Sequence, residues 1–425
     1  SFIFNCIFVV MKFNDYNISD EIKRTLNKLD FKRPTDIQFK SIPSILKGED
    51  VLAIAQTGTG KTAAFAIPII NKIFNITRSK RPDGIKCLIM VPTRELAKQI
   101  EQVFKSIGKY TNVRPFALIG GVEQDPQIDA LNSGVDVLIA TPGRMYDMIA
   151  QGHLHLSRVQ TLILDEADQM LALGFYKDIQ GIQNRLPGSR QTLFFSATIN
   201  EEIKKLAYTL VKNAIRIQIS PKDAVSKNVT HFVAPVEMDD KRYFLEHFIK
   251  EHPENKMIVF VRTKVRAERV LKAMERVGVA CVNMHSGKEQ EERNEAMRAF
   301  KSGDVSVLVA TDISARGVDI PNVDYVINYD LPDVPENYVH RIGRTGRGVN
   351  KGEAFAFCAP EEMPFLIEIE KLLGKRITQI EFSKKEYSDV KTFSDERNLK
   401  DLIGDIEFEL DQAGVKKRSK KKKKK

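Results

Sequence analysis

Short runs of apolar, often β-branched residues recur along this chain, and most are followed by a longer stretch with helical spacing, such as Glu95–Ile107. Apolar runs that alternate with amphipathic helices are typical of parallel sheets covered on both faces. The first series is Val51–Ala55, Cys87–Val91, Val137–Ala140, Leu162–Leu164 and Thr192–Phe195, and the second is Met257–Val261, Ala280–Met284, Val305–Ala310, Tyr325–Asn328 and Ala354–Cys358. The pattern therefore predicts two α/β domains of similar size.

Two changes in composition mark the predicted domain boundaries. The polar stretch Ser220–Asn228 contains Pro221 and predicts a linker over residues 219–229. Residues 386–411 hold nine acidic and three basic side chains, so we expect one short helix at most and a mostly disordered tail over 383–425. The predicted domains then cover residues 11–218 and 230–382.

An apolar run, Phe2–Val10, stands immediately before Met11. It is too short to span a bilayer, and it lacks the charged start and the cleavage site of a signal peptide. We interpret Met11 as the natural start and residues 1–10 as a non-native extension without function. We expect no membrane partner.

The net charge of +10 is concentrated at the end of the chain. Residues 416–425 supply nine positive charges, which leaves 10 − 9 = +1 for residues 1–415. Such a tail can bind any phosphate backbone by releasing counterions, and the alternative is a solvated terminus without a specific partner. Any nucleic-acid groove on the nearly neutral body must be a local patch.

The four cysteines are Cys6, Cys87, Cys281 and Cys358. They lie far apart, with no C-x-x-C pair and no neighbouring histidine cluster. Neither a disulfide framework nor a zinc site is indicated. This pattern fits a reducing compartment, and we expect the cytoplasm.

A glycine-rich segment, Ala55-Gln56-Thr57-Gly58-Thr59-Gly60-Lys61-Thr62, follows the run Val51–Ile54. A strand, a tight turn and a helix start direct backbone N–H groups at one spot that suits polyphosphate. In this phosphate-loop pattern Lys61 reaches the β- and γ-phosphates and the Thr62 hydroxyl ligates Mg²⁺. Ala55 stands where the pattern begins with Gly. The alternative is a Gly/Thr-rich turn that happens to end in Lys-Thr.

Carboxylates follow the strand Leu162–Leu164 in the sequence Asp165-Glu166-Ala167-Asp168. At the carboxyl end of a parallel strand, beside a phosphate loop, they are expected in the ligand crevice. Asp165 is placed to hold Mg²⁺ through water, and Glu166 to orient and polarise the attacking water. The alternative, an acidic helix start, does not explain the coincidence with a phosphate loop.

A basic segment in the predicted second domain reads His340-Arg341-Ile342-Gly343-Arg344-Thr345-Gly346-Arg347. Its glycines permit close backbone approach, and guanidinium groups match phosphate oxygens. Arginine fingers of this kind stabilise the transition state of phosphoryl transfer. The alternative is a basic loop that contacts only nucleic acid or solvent.

From Phe13 to Phe382 the chain resembles the DEAD-box ATP-dependent RNA helicases, most of all the bacterial RhlE-like group, because only a short basic tail follows the core. The resemblance implies two tandem RecA-like domains, with the ATP and RNA sites spanning both. It implies ATP and Mg²⁺ as cofactors and RNA-stimulated hydrolysis that unwinds short RNA duplexes or remodels RNA–protein complexes locally. It also implies weak sequence specificity, a monomeric core, and ribosomal or RNA-decay assemblies as candidate partners.

The family's adenine-reading Q motif is matched by Phe31–Gln38 and the upstream aromatic Phe13. The resemblance implies that Gln38 reads adenine and that Phe31 packs near the base, although Asp30 and Asp36 stand where the family usually has Gly and often Pro. The implied nucleotide-binding residues are Phe13, Phe31, Gln38, Gly58, Thr59, Gly60, Lys61, Thr62, Asp165, Glu166, Gly317, Asp319, Arg344 and Arg347. The implied catalytic residues among them are Lys61, Glu166, Arg344 and Arg347.

The resemblance further implies contacts with the RNA backbone that do not read bases. Each contacting segment is also a turn after a strand, which is the alternative interpretation. The implied residues are Pro92, Thr93, Arg94, Gly120, Gly121, Thr141, Pro142, Gly143, Arg144, Arg262, Thr263 and Thr311. Gln290–Arg293 matches a small Q-x-x-R element of the family.

Ser196-Ala197-Thr198 resembles the motif that couples hydrolysis to unwinding. We expect its hydroxyls to bond Asp168 or His340 across the interdomain cleft, although such hydroxyls also cap helices. ATP and RNA would then each favour the state that binds the other. Two alternatives to a helicase remain open: an ATP-controlled RNA clamp that scarcely unwinds, and a DNA translocase built on the same twin-domain core.

Overall fold

The computed structural model describes residues 11–55, 58–77, 84–219, 229–315, 323–346 and 351–392. These residues form two compact units. The first unit contains the described residues up to 219, together with 313–315 and 339–346. The second contains 229–312, 323–338 and 351–392. Each unit has its own sheet of seven strands.

In the first unit a 3-10 helix, Phe13–Asp15, precedes α1 (Asp20–Lys28), α2 (Asp36–Leu46), β1 (Val51–Ile54), α3 (Lys61–Thr77), β2 (Cys87–Met90), α4 (Arg94–Ile107), β3 (Pro115–Leu118), α5 (Asp125–Asn132), β4 (Val137–Ala140), α6 (Pro142–Ala150), β5 (Thr161–Leu164), α7 (Ala167–Ala172), α8 (Tyr176–Gln183), β6 (Gln191–Ser196), α9 (Glu201–Leu210) and β7 (Ile215–Gln218). The strands lie in the order β3-β4-β2-β5-β6-β1-β7, and all neighbouring pairs are parallel.

Helices cover both faces of this sheet. Along β1, Val51 and Ala53 belong to one apolar core, and Leu52 and Ile54 belong to the other. Successive side chains of a strand point to opposite faces, so both sets are buried. Helices α1 to α4 contribute to the first core and α6 to α9 to the second. This double cover explains why the strands are continuous apolar runs in the sequence.

After β7 the chain continues with β8 (Val229–Pro235), α10 (Lys241–Glu251), β9 (Met257–Val261), α11 (Lys264–Arg276), β10 (Cys281–Met284), α12 (Gln290–Ser302), β11 (Val307–Thr311), α13 (Asp312–Ala315), β12 (Tyr325–Asn328), α14 (Pro335–Ile342), β13 (Gly352–Cys358), a 3-10 helix (Pro360–Glu362), α15 (Met363–Leu373) and β14 (Thr378–Gln379). All of these strands belong to the second unit. The strand order of the second sheet is β10-β11-β9-β12-β13-β8-β14, again parallel throughout. Subtracting seven from each label gives the order of the first sheet, so the two units share one topology.

The prediction of two parallel α/β sheets is confirmed. All ten predicted strands are present, and their ends differ from the prediction by at most two residues. The prediction misses β3, β7, β8 and β14, which lie at or next to sheet edges. In β7 only one residue of four is buried, because an edge strand needs no continuous apolar run.

The predicted linker lies mostly outside the described residues. Ser220–Asn228 and residues 1–10 are not described, and β8 begins at Val229, the last residue of the predicted linker. Within the described ranges, no helix is sufficiently long and apolar to cross a bilayer.

The start of the predicted tail contains one short helix, as the sequence analysis allows, and this helix packs on the second unit. Residues 384–392 form a helix. The ring of Tyr387 lies 4.9 Å from that of Phe244 between centroids, and its hydroxyl donates to Asp240 (3.0 Å). The acidic composition of this stretch predicts disorder and does not show that Tyr387 packs against the second unit. The rest of the tail, with its lysine run, lies outside the described residues.

Candidate functional site

The phosphate loop joins β1 to α3. Gly58 and Gly60 have φ values of 80° and 90°, in the region that favours glycine. Lys61 is 7% exposed, and its Nζ has no hydrogen-bond partner among the described residues. A buried ammonium group without a hydrogen-bond partner is costly, and this one fits a loop that a bound phosphate completes. Gln56 and Thr57 are not described.

Gln38 connects the Q motif to the phosphate loop. Its Nε2 donates to the Gly60 carbonyl (3.1 Å), and its Oε1 accepts from the Thr35 N–H (3.0 Å). The Thr35 hydroxyl donates to the Thr59 carbonyl (2.8 Å). Gly60 has φ 90°, which favours glycine, and a Cβ there would lie 2.5 Å from Gln38 Nε2, so any side chain would displace this amide from its contact. Each amide atom of Gln38 keeps a second hydrogen-bonding position, which suits a base edge.

Both departures from the family's Q motif have a structural explanation. Asp30 adopts φ 58°, the left-handed conformation that glycine adopts freely and that aspartate tolerates better than most residues. Asp36 is the first residue of α2, where Pro is favoured but where an acidic side chain also interacts well with the helix dipole. These residues therefore preserve the turn and the helix start.

Two aromatic rings lie beside this segment. Phe13 and Phe31 are in edge-to-face contact, with centroids 5.6 Å apart. Phe13 is buried in the core of the first unit, while Phe31 is partly exposed. Both line a cavity of about 400 Å³, together with Asp30 and Arg33. The two aromatic residues of the predicted nucleotide-binding set thus meet at one cavity.

The carboxylates after β5 are buried, with Asp165 2% and Glu166 8% exposed. Burial raises the pKa of Asp165, and it raises the pKa of Glu166 to about 7, although Lys61 opposes both changes. Glu166 also has φ 53°, a left-handed conformation that costs a non-glycine residue roughly 1–2 kcal/mol. Its Oε2 has no hydrogen-bond partner in the described part of the chain. Strain, burial and an unpaired oxygen in one residue indicate a functional position.

Asp168 joins α7 to the turn that follows β6. Its Oδ2 accepts from the Ala197 N–H (3.2 Å), the Thr198 N–H (3.0 Å) and the Thr198 hydroxyl (3.1 Å). His340 Nε2 lies 3.8 Å from the same oxygen. Burial raises the pKa of Asp168, but His340, Lys61 and the Thr198 hydrogen bonds outweigh it, and the pKa lies below its ordinary value. Asp168 is therefore ionised, and its carboxylate holds the turn at residues 197–198 in place.

The remaining residues of the coupling and finger segments differ in their placement. Ser196, the last residue of β6, has a buried hydroxyl without a hydrogen-bond partner among the described residues, so of the two hydroxyls only that of Thr198 bonds Asp168. Arg344 is 4% exposed, and its charge is one of those that lower the pKa of Glu166. Gly317, Asp319 and Arg347 lie outside the described residues.

Three predicted RNA-backbone segments of the first unit converge on one turn. The guanidinium of Arg94 lies against Gly121, where a Cβ would be 1.9 Å from Nη1. Arg144 Nη2 donates to the carbonyl of Val122, the next residue (3.0 Å). Pro92 and Thr93 precede α4, whereas Thr141, Pro142 and Gly143 start α6. Since β3, β4 and β2 are neighbours in the sheet, these turns meet at its carboxyl edge.

The matching turn recurs in the second unit. Thr93 caps α4 by accepting from the Leu96 N–H (3.3 Å), and Thr263 caps α11 by accepting from the Arg266 N–H (3.1 Å). Their φ and ψ values are −130° and 153° in one and −130° and 154° in the other. Thr311 is the buried last residue of β11. In the Q-x-x-R element, Gln290 begins α12 and Arg293 lies one turn later.

Residues 35–206 match the DEAD/DEAH box helicase family, and residues 240–349 match the helicase conserved C-terminal domain. The chain is 38% identical to the ATP-dependent RNA helicase CshA of Listeria monocytogenes over 370 residues, which are 87% of this chain and 70% of that protein. It is 38% identical to the ATP-dependent RNA helicase DbpA of Bacillus subtilis over 374 residues, 88% and 77% of the two chains. The chain belongs to the DEAD-box RNA helicase family.

Solved structures of DEAD-box proteins share the fold. The DEAD-box helicase Mss116 bound to ssRNA and UDP-BeF has a TM-score of 0.80 and 29% identity, covering 89% of this chain and 81% of that one. S. cerevisiae Dbp5 bound to RNA and ADP BeF3 has a TM-score of 0.79 and 26% identity, covering 91% and 99%. The tandem RecA-like fold predicted from the sequence is thereby confirmed.

Sequence reasoning missed one cluster of this DEAD-box chain. Lys241, Asp330 and Glu362 are all buried below the predicted RNA-contacting residue Arg262. Each is a single charged residue at a helix start or after a strand, where acidic and basic side chains are ordinary. Only their burial distinguishes them, and the sequence pattern does not show it.

Proposed function

We propose that this chain is an ATP-dependent RNA helicase that uses RNA-stimulated hydrolysis to unwind short duplexes or to remodel RNA–protein complexes locally. The observation that carries the proposal is Glu166, a strained carboxylate whose pKa is raised by burial and lowered in part by the charge of Lys61, an ammonium group without a hydrogen-bond partner among the described residues. ATP hydrolysis with and without RNA, measured beside displacement of a strand from a short duplex, tests it. Hydrolysis that RNA does not stimulate would contradict the proposal.

The residues have complementary roles in this proposal. Lys61 interacts with the β- and γ-phosphates, and Glu166 orients the attacking water. Arg344 stabilises the charge that develops on the transferred phosphoryl group. Gln38 selects adenine, and the Arg94 and Arg144 turn binds the RNA backbone without reading its bases.

The site also suits Mg²⁺. Asp165 and the Thr62 hydroxyl would hold it, partly through water, and the ion would neutralise phosphate charge. Mg²⁺ usually keeps several waters and takes few protein oxygens. Asp165 and Thr62 are two such oxygen donors, so a site completed by phosphate and water fits this chain.

Replacing Gln38 by Ala should weaken ATP binding about tenfold and reduce the preference for ATP over GTP. A site built to hydrogen-bond one base edge rejects a base whose donors and acceptors do not match, because polar groups of the site are then left unpaired. The change also removes the bond to the Gly60 carbonyl. Affinities of fluorescent ATP and GTP analogues measure both effects. Equal loss for both nucleotides would assign Gln38 to the loop alone.

Lowering the pH should reduce kcat/KM for ATP about tenfold per unit below pH 7, because burial raises the pKa of Glu166 to about 7 and only the ionised form accepts a proton. The pH dependence of MgATP affinity, measured on Glu166→Gln, separates binding from this effect. A flat profile between pH 7 and 6 would contradict the role of Glu166 as an ionised acceptor.

Truncation before Lys416 should leave hydrolysis at saturating RNA unchanged and weaken RNA affinity at low salt, uniformly across sequences. If about four tail charges meet single-stranded phosphates, the slope of log affinity against log salt becomes shallower by about 3. Equal slopes with and without the tail would identify Lys416–Lys425 as a solvated terminus.

The proposal extends to the subgroup, the location, the partners and the domain bounds of the chain. We place the chain near the RhlE-like group on the basic composition of residues 416–425. We propose a cytoplasmic location, a monomeric core, ribosomal or RNA-decay assemblies as partners, and domain bounds of 11–218 and 230–382 joined by a linker at 219–229. Crosslinking of the ATP-bound protein to cellular RNA would identify the substrate.

Two other functions use the same residues. An ATP-controlled RNA clamp would hydrolyse ATP with RNA but would not displace a strand. A DNA translocase would be stimulated by DNA. The similarity to named RNA helicases over most of the chain favours the helicase.

A further inference from the structure

A buried carboxylate holds Arg262 at the end of β9. Glu362 is 1% exposed. Its Oε1 accepts from Arg262 Nη2 (3.1 Å) and from the Leu331 N–H (3.2 Å), and its Oε2 accepts from Lys241 Nζ and from the Ala359 N–H (3.1 Å). Two bonds on each oxygen use the hydrogen-bonding capacity of the carboxylate, so its orientation is fixed.

Lys241 and Asp330 complete the cluster. Lys241 is fully buried, and its Nζ donates to the Tyr329 carbonyl (2.7 Å) and lies 3.9 Å from Asp330 Oδ1. Asp330 Oδ2 accepts from the backbone N–H of Arg262 (3.1 Å). Arg262 is therefore held twice, through its side chain by Glu362 and through its backbone by Asp330.

The outer side of Arg262 remains accessible. Its guanidinium lies 5.4 Å from the centroid of the Phe365 ring, and its side chain is 32% exposed. Packing against a ring and pairing with a carboxylate restrict a guanidinium to one orientation, in which its fork can meet a phosphate. Buried ion pairs contribute little net stability, so the cluster calls for another role.

We propose that Glu362 is a positioning residue for RNA binding, which it serves by fixing the guanidinium of Arg262 toward the RNA backbone. The inference rests on the proposed contact between Arg262 and RNA. Charge alone predicts the opposite effect, because a carboxylate near phosphate-binding groups weakens their attraction for RNA. Removing that charge should strengthen RNA binding if Glu362 acts only through its field, and weaken it if Glu362 acts by orienting Arg262.

The test compares Glu362→Gln, Arg262→Ala and the double variant in the full chain. The measurements are the RNA concentration that half-saturates ATP hydrolysis, kcat at saturating RNA, and the thermal midpoint. We expect half-saturating RNA to rise about fivefold in Glu362→Gln and about tenfold in Arg262→Ala, with a larger change in this concentration than in kcat. The double variant should match Arg262→Ala, because Glu362 acts through that residue.

Each outcome has one meaning. An unchanged half-saturating concentration in Arg262→Ala overturns the proposed RNA contact. Two other results overturn the positioning role alone, provided that Arg262→Ala weakens RNA binding as expected. In one, Glu362→Gln binds RNA as tightly as the parent or more tightly. In the other, the rise in half-saturating RNA in the double variant is the product of the rises in the two single variants.

A further variant addresses folding. Lys241→Met combined with Glu362→Gln removes the buried charges of Lys241 and Glu362 and leaves Asp330 its ion pair with Arg266 (3.4 Å). It should raise the thermal midpoint above that of Glu362→Gln while keeping the same RNA defect. An RNA defect that follows the thermal midpoint across the variants would identify Glu362 as a structural residue only.

Discussion

Replacing Glu166 by Gln should slow RNA-stimulated ATP hydrolysis by about 10²–10⁴-fold while ATP and RNA still bind. Glutamine has the shape of glutamate but cannot accept the proton of the attacking water. The phosphate loop, with Lys61 and the Gly60–Gln38 contact, is unaffected by the change. Single-turnover hydrolysis measures the rate, and nucleotide and RNA affinities measure binding.

Glu201→Gln is a matched control, because that side chain is 80% exposed and lies outside the proposed site. It should hydrolyse ATP like the parent. The RNA complex of Glu166→Gln should persist with ATP, since release requires hydrolysis. If Glu166→Gln hydrolyses ATP near the parental rate, another residue orients the water.

The same variant should be more heat-stable than the parent at pH 8. A carboxylate whose pKa rises from 4.5 to about 7 on folding favours the folded state below pH 4.5, and this contribution disappears as the pH rises through 7. Above that range the buried charge costs on the order of 3 kcal/mol, which Gln removes. A higher thermal midpoint at pH 8 than the parent, together with slower hydrolysis, would show that the carboxylate serves catalysis at the expense of stability.

The sequence predicts those features that local pattern determines. Doubly covered strands such as β1 are apolar throughout, so they are recognisable, whereas β7 has one buried residue and is not. The phosphate loop is recognisable because its glycines have required positions. The local pattern does not show that Asp30 and Asp36 can replace the family's usual Gly and Pro. That depends on the φ value of Asp30 and on α2 beginning at Asp36, which only the structure gives.

Features that depend on burial and on distant segments are not visible in the sequence. The raised pKa of Glu166 arises because it is buried, which requires the whole core around β5. Likewise, Glu362 and Arg262 are 100 positions apart and meet only in the folded chain. Residue type and spacing locate the site, while tertiary packing determines how it is tuned.

Replacing Arg344 by Lys should lower kcat by about 10³-fold, nearly as much as replacing it by Ala. The guanidinium presents two N–H groups in a rigid fork that matches phosphate oxygens, and a lysine ammonium on a flexible stem does not reproduce it. Arg344 is 4% exposed, so its environment is already fitted to the guanidinium. Steady-state hydrolysis at saturating RNA and ATP measures the loss, and Arg298→Lys, with a side chain 71% exposed, is the control.

The two substitutions should differ in their pH dependence. Arg344 lowers the pKa of Glu166, so its removal in Arg344→Ala raises that pKa further and moves the acid limb of kcat/KM to higher pH. Lysine keeps the charge, and the limb of Arg344→Lys should stay near that of the parent. If both variants lose the same kcat but differ in the pH of the acid limb of kcat/KM, the loss of kcat arises from the missing guanidinium geometry and not from the changed pKa of Glu166. An active Arg344→Lys variant would instead leave the segment His340–Arg347 as a contact for nucleic acid alone.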